Sequence, residues 1–342
     1  MSKAAFLTLA LVAASAVAEN THDRAFYEAK FFNWMTEHSL KATDGAHFVS
    51  MLKNFADNDD IIATHNAGKS TYQLGHNQFS HMSETEWKAY VNKGLIKDRE
   101  PGANIHSAPT DLSSLPASID WTALGSVTPV KDQGQCGSCW SFSTTGAMEG
   151  AYKNKYGTLE SFSEQNFVDC DNRKNGGKDM GCNGGLMDNA FDWAAKNGGV
   201  CTESAYPYVS GTTKTAGTCN QASCTKNANS APKSHTDVQV NSDDAMMSAL
   251  ALNPVSIAIQ ADQSAFQLYK SGVFTAACGD SLDHGVLAVG YGTMDGLDYY
   301  RVKNSWGTTW GADGYILLGR GDEFNKGQGQ CGMLLQASYP EV

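Results

Sequence analysis

Gln133-Gly134-Gln135-Cys136-Gly137-Ser138-Cys139-Trp140-Ser141-Phe142 is the segment that decides how the rest of the chain is read. A glycine-broken loop runs here into the proline-free stretch Trp140 to Tyr156. Phe142, Ala147, Met148, Ala151 and Tyr152 recur in it three, four or five positions apart, the pattern of a largely buried helix. Cys139 falls in the first turn, where unpaired N–H groups and the positive end of the helix dipole favour a thiolate. A thiolate nucleophile also needs a proton donor for its leaving group, and the donor needs a third group to orient it.

Both partners are found downstream. His284 opens the apolar run Leu282-Asp283-His284-Gly285-Val286-Leu287-Ala288-Val289-Gly290, which ends in glycine as a strand would, and Asn304 lies in Tyr299-Tyr300-Arg301-Val302-Lys303-Asn304-Ser305-Trp306-Gly307. Cysteine, histidine and asparagine make a nucleophile, a base and an orienting group. A neutral asparagine leaves the thiolate as the only strong anion beside the imidazolium.

With these motifs in order, the chain resembles papain-type cysteine proteases, nearest the cathepsin L-like branch; Cys-Gly-Ser-Cys-Trp with a distant His and Asn is that family's signature. The resemblance runs from about Phe26 to the C-terminus and takes in a pro-region pattern, Gly181-Cys182-Asn183-Gly184-Gly185, the Asn304 segment with Trp310, and Cys331-Gly332. It implies an α+β fold of two halves, one helical and one barrel-like in β-structure, with the site in the cleft between them. It also implies a cysteine endopeptidase made as a zymogen, with no cofactor and no metal.

Composition supports a globular chain, with 41% hydrophobic and only 18% charged residues over a length that allows two or three cores. A net charge of −11 argues against nucleic acid as a partner, since no Lys/Arg cluster offsets repulsion by phosphate. Residues 1–18 read as a secretory signal: Lys3, an apolar run from Ala4 to Val17, and the small-residue site Ala16-Val17-Ala18, too short to cross a membrane. Delivery through the secretory pathway to a lysosome-like acidic compartment or the exterior is expected, with disulfides. All nine cysteines lie at or after Cys136, and keeping Cys139 free lets the other eight pair. The resemblance implies Cys136–Cys182, Cys170–Cys219 and Cys278–Cys331, leaving Cys201 with Cys224; spacing alone also permits Cys170–Cys224 with Cys201–Cys219. Cys136 and Cys139 have no second Cys-x-x-Cys or His pair with which to hold zinc.

Residues 19–114 contain no cysteine and carry two amphipathic patterns, the first marked by Phe26, Phe31, Trp34 and Met35, the second by Phe48, Met51, Leu52, Phe55 and Ile62. They resemble an inhibitory propeptide. Asn58, Asn66, Gly75, Asn77 and Phe79 fit the family's pattern, whereas His47, Met51 and His81 stand where it usually has Glu, Arg and Asp. Tyr72 to Phe79 reads as extended, with Gly75 to Phe79 expected along the cleft and His81 as an acid trigger. Pro101 to Pro109 reads as an exposed, cleavable linker. The mature part is expected to be 115–342, mainly helical to about 217 and mainly β beyond, with strands over Pro254–Ala261, His284–Gly290, Tyr299–Lys303 and Gly314–Leu318.

Carried over residue by residue, the resemblance gives Gln133 as oxyanion donor with the Cys139 N–H. Asn183, Gly184 and Gly185 become a strand edge for the substrate backbone, and Leu186, Met187, Leu282, Asp283, Trp306 and Gln336 join them as substrate-binding residues, Gln336 flooring the main specificity pocket. Protein and peptide substrates, the chain's own propeptide and cystatin-type inhibitors are the implied partners, with no nucleic acid and no membrane. Exopeptidases of the family block one cleft end with a long histidine-bearing insertion or a cysteine-tethered pro-segment remnant; the short, histidine-free Asp171–Gly181 segment and the cysteine-free pro-region resemble neither, so the resemblance implies a cleft open at both ends and an endopeptidase. Two other readings fit less well. A non-cutting peptide binder does not need Gln133, Cys139, His284 and Asn304 together, and a secreted disulfide-stabilised structural or lectin-like protein explains neither the pro-region nor the unpaired cysteine.

Overall fold

The structure, a computed structural model, describes residues 20–96 and 99–342, so the expected signal at 1–18 lies outside the described residues. Three apolar clusters organise it. The first belongs to the N-terminal region alone, where helices α1 (Arg24–Glu37) and α2 (Gly45–Ala67) bury Tyr27, Phe31, Trp34, Met51, Leu52 and Phe55 against each other. Asp23 and Asp44 cap the two helices by accepting from the N–H groups of Phe26 and His47. Met51 is thus a core residue, and His47 accepts from the Thr43 N–H through Nδ1.

The second cluster is built on α4 (Cys139–Tyr156), with α5 (Glu164–Cys170) and α6 (Met187–Lys196) against it. Every residue of α4 from Cys139 to Tyr152 is buried, as a helix enclosed by the domain requires. Ser163 caps α5 by accepting from the Asn166 N–H. Disulfides Cys136–Cys182, Cys170–Cys219 and Cys201–Cys224 tie this half, Cys278–Cys331 ties the other, and Cys139 is free.

The third cluster lies on a ten-stranded sheet. Its strands are β1 (Tyr72–Leu74), β2 (Ile105–His106), β3 (Ile119–Asp120), β4 (Ser234–Val238), β5 (Val255–Ile259), β6 (Tyr269–Phe274), β7 (His284–Met294), β8 (Leu297–Lys303), β9 (Tyr315–Gly319) and β10 (Ala337–Glu341). The order is β1-β6-β9-β8-β7-β5-β10-β4-β2, with β3 also on β7. Both ends of that order are strands from the N-terminal region: β1 runs antiparallel to β6 and β2 runs parallel to β4. The expected strands are present within a few residues. A helix that the strand reading passed over, Asp243–Leu250, also packs here, capped by Ser242 and carrying Asp243 and Asp244 in its first turn. The two halves share apolar surface, because Ala258, Leu287 and Val289 of the sheet belong to the cluster around α4.

Asparagines fix the N-terminal region to this frame. Asn66 donates to the carbonyl of Leu74 and accepts from its N–H, Asn58 donates to the Ser80 and Met82 carbonyls, and Asn77 donates to the Gln267 carbonyl. Phe79 and Trp87 then pack edge-on against Trp306, Trp87 from helix α3 (Glu84–Val91), whose start is a Ser83/Glu86 capping box.

Histidines in this region are poised to respond to acid. Burial pushes the pKa of His81 below the usual histidine range, with its hydrogen bond to the Gln78 carbonyl pulling the other way; burial does the same to His76, which is paired with Asp59. A histidine whose folded pKa is depressed binds fewer protons folded than unfolded, so its contribution to stability is lost as pH falls below about 6.5. His81→Gln removes that contribution, and the pH at which the N-terminal region lets go, followed by release of activity, is expected to shift to more acid values. An unchanged profile would take His81 out of the trigger.

Candidate active site

Cys139 begins α4 and His284 begins β7, so the two are delivered by the elements that form the contact between the halves. The Gly285 N–H donates to Cys139 Sγ at 3.3 Å, which seats the sulfur against the residue following His284. His284 Nε2 donates to Asn304 Oδ1 at 2.8 Å; that oxygen also accepts from the Ser305 N–H at 2.7 Å, which fixes the amide and hence the histidine tautomer, leaving Nδ1 as the free base. Trp306 lies flat on the imidazole, rings 4.4 Å apart and 16° from parallel, and both residues are buried. The tryptophan thus covers the imidazole through a stacking contact, while Trp310 meets Trp306 edge-on one step further out.

Gln133 is held at both ends of its side chain. Its Oε1 accepts from Ser305 Oγ at 2.7 Å and its Nε2 donates to the Cys136 carbonyl at 3.0 Å, which leaves one N–H of the amide uncommitted in the loop before Cys139. Ser305, which sequence reasoning passed over, thus orients both Asn304 and Gln133; its adjacency to Asn304 was the available signal.

Cleft occupancy differs from expectation. Gly75 to Phe79 docks on the sheet side, with Gly75 N–H on the Leu268 carbonyl and Gln78 on the Trp306 carbonyl, and does not lie along the cleft. Asn92 to Ile96, the segment after α3, takes that place. Leu95 bridges Gly185 in parallel register, the Gly185 N–H donates to the Gly94 carbonyl and the Ile96 N–H to the Gly185 carbonyl, both at 3.4 Å. Gly184 allows this approach: its φ is +103° and a Cβ there would come within 2.9 Å of the Lys93 carbonyl oxygen. Gly94 sits directly on Cys139, where any Cβ would overlap its Sγ and would lie 3.0 Å from the Asp283 carbonyl oxygen. It is thus the backbone of Asp283 that faces the cleft; its carboxylate accepts from the Ala261 N–H at 2.8 Å, and burial pushes its pKa up to about 7.

Leu95 and Leu282 pack against the apolar cluster that contains Met187 and Ala258, and a pocket beside them is lined by Ile96, Leu282, Leu335 and Gln336. Leu186 is buried next to Met187, and Gln336 is half-buried. Asn183 bridges Gly137 and so closes the base of this edge.

The electrostatics follow from the covering. Burial pushes the Cys139 thiol up to about 12, outweighing the hydrogen bonds from the Gly285 N–H and the helix start, and pulls His284 down to about 4 against the Asn304 hydrogen bond. The helix dipole is worth about 1 kcal/mol or less, under one pKa unit, so loss of water decides the outcome. With the cleft covered, both shifts favour the neutral thiol and the neutral imidazole.

Comparison with known proteins accords with this arrangement. Residues 115–341 match the papain family cysteine protease domain and residues 31–87 the cathepsin propeptide inhibitor domain (I29). The chain is 41% identical over 336 residues to the senescence-specific cysteine protease SAG39 of Oryza sativa subsp. indica, covering 97% of this chain and 95% of that protein. It superposes on the proform of the ragweed pollen cysteine protease Amb a 11 with a TM-score of 0.81 at 32% identity, covering 94% and 96% of the two chains. The bromelain protease of Ananas comosus, solved with the inhibitor E64, matches with a TM-score of 0.61 at 39% identity, and its whole chain covers 67% of this one. With Cys139 seated against the residue that follows His284, His284 bound to Asn304, and the segment just after the inhibitor domain covering the sulfur, the chain belongs to the papain family of cysteine proteases, as a cysteine endopeptidase in zymogen form.

Proposed function

We propose that Cys139 attacks a peptide carbonyl to form a thioester, that His284 protonates the departing amine and then activates water for deacylation, and that Asn304 holds the ring through both steps. The uncommitted N–H of Gln133 and the Cys139 backbone N–H stabilise the tetrahedral oxyanion. The observation that carries this reading is the His284 Nε2 to Asn304 Oδ1 bond with Cys139 Sγ seated against Gly285. In the zymogen the Gly94 segment excludes water and keeps the pair neutral. Acid loosens the N-terminal region, cleavage in the linker up to about residue 114 frees residues 115–342, and water returns to the cleft, where thiolate and imidazolium become the favoured pair. The signal at 1–18 would route the chain into the secretory pathway, toward an acidic compartment or the exterior, where protein substrates and cystatin-type inhibitors would meet it. Acid treatment of the purified chain followed by digestion of a denatured protein is the test; internal fragments are expected, and release of terminal residues alone, or none, would refute the reading.

Specificity follows from the Leu95 pocket. Leu186, Met187, Ala258 and Leu282 make an apolar wall on which a substrate Leu, Val or Phe two residues before the scissile bond gains roughly 1.5–3 kcal/mol. Gln336 at the pocket brings an amide without charge, so a guanidinium there loses water without gaining a counter-ion. Substrates with Leu at this position are expected to exceed their Arg counterparts in kcat/KM about tenfold or more, and Gln336→Glu to raise the Arg substrates selectively. Equal cleavage of Leu and Arg by the parent, or no gain for Arg in the variant, would place the pocket elsewhere.

A further inference from the structure

Asp188 of α6 and His235 and Asp237 of β4 place one ligand atom each within 4.8 Å of one another, all three residues buried. Each is already oriented by a neighbour. Asp188 Oδ1 accepts from Ser338 Oγ, Asp237 Oδ2 accepts from the Gly102 N–H at 2.8 Å, and His235 Nδ1 donates to Asp192 Oδ1 at 3.0 Å. The last contact engages Nδ1 and turns Nε2 inward, 3.8 Å from Asp237 Oδ1; that buried nitrogen has no hydrogen-bond partner among the described residues. A carboxylate behind a histidine whose other nitrogen is free is the usual support of a metal-ligating imidazole.

A cation occupies the cluster in the zymogen, and the N-terminal region supplies it. Arg99, two residues before the linker, reaches in with Nε 2.7 Å from Asp188 Oδ2 and Nη2 2.7 Å from Asp237 Oδ1, and the backbone at Gly102 covers His235 so closely that a Cβ there would come within 2.8 Å of Nε2. Residues 100–104 form the outer wall of the same pocket. When the linker is cut away, guanidinium and lid leave together, and two carboxylates and an imidazole remain with their charge uncompensated.

We propose that Asp188, His235 and Asp237 form a divalent transition-metal site that Arg99 occupies in the zymogen and that opens when the linker is removed. One imidazole with two carboxylates suits Zn2+ or Mn2+ better than the all-oxygen preference of Ca2+ or Mg2+. The ion replaces the guanidinium as counter-charge and joins α6 to β4. The inference rests on removal of the linker, which is part of the proposed function, but its readout does not depend on catalysis.

Mn2+ titration followed by electron paramagnetic resonance tests it, with Cys139 capped by a thiol-directed reagent and linker removal, by acid or by an added protease, checked by mass. The mature part is a sound object, since the solved bromelain chain corresponds to that portion alone. One Mn2+ per processed chain is expected, bound at least tenfold more tightly than by the intact chain, with a rise in Tm on adding Mn2+ to the processed form only. His235→Gln and Asp237→Asn are expected to weaken it tenfold or more without altering peptide hydrolysis, and Asp192→Asn, which leaves all three ligands in place, about tenfold. Absence of a site in the processed chain, equal binding by the intact chain, or binding that survives His235→Gln would overturn the proposal.

Discussion

Cys139→Ser is expected to lower kcat/KM of the processed enzyme by about 10⁴-fold or more while the variant folds, retains its pro-region contacts and binds peptide inhibitors that need no covalent bond. The size follows from the chemistry. A hydroxyl in the same place lacks the thiolate's nucleophilicity at neutral pH, and what remains is oxyanion stabilisation and binding. Cys139 is also the one free cysteine in the structure, buried at the start of α4, so the exchange adds no cavity and breaks no disulfide. A processed Cys139→Ser enzyme retaining more than about one part in a thousand of the parent rate would exclude this nucleophile.

Gly94→Val is expected to have the next largest effect, in the opposite direction. The segment Asn92–Ile96 covers the sulfur only because Gly94 has no side chain; a Cβ would overlap Cys139 Sγ, crowd the Asp283 carbonyl and approach the Val91 carbonyl, against backbone that cannot yield as a flexible side chain would. Overpacking of this kind costs about 1–3 kcal/mol, which translates to about 5- to 150-fold weaker occupancy of the cleft. The intact variant at neutral pH is expected to hydrolyse peptides where the parent is silent, with β1 still paired to β6 and Asn77 still on Gln267, so that the pro-region stays attached. Gly94→Ala should show a smaller release. A Gly94→Val chain as silent as its parent would mean that inhibition does not depend on this contact.

Much of this site was legible in the sequence because its parts are carried by local patterns. The glycine-broken loop before a helical repeat placed Cys139 in the first turn of α4, an apolar run ending in glycine placed His284 on a strand, and nine cysteines with one kept apart agree with the four disulfides. Of the two pairings that spacing left open, the structure has Cys170–Cys219 with Cys201–Cys224.

The course of the pro-region was less legible, since it is set by contacts far apart in sequence. Gly75 to Phe79 carries the recognisable residues, yet Asn77 and Phe79 serve a dock on Gln267 and Trp306, and it is the plain stretch Asn92-Lys93-Gly94-Leu95-Ile96 that reaches Cys139. A capping box at Ser83 and Glu86 announced the helix leading there, and Ser242 with two aspartates announced the helix in the β half; both were outweighed by the surrounding pattern. The protonation states of the pair could not be read from the helix start, because they depend on whether water reaches Sγ, and that is decided by the segment around Gly94, far from Cys139 in the chain.

The rate at which a small thiol-directed electrophile alkylates Cys139, compared at neutral pH between the intact and the processed chain, tests most directly that the pro-segment silences the enzyme by keeping its nucleophile buried and neutral. Alkylation at Cys139 is expected to be at least 100-fold faster after processing, to be advanced in the intact Gly94→Val chain and to be absent in Cys139→Ala; equal rates for intact and processed parent would contradict it.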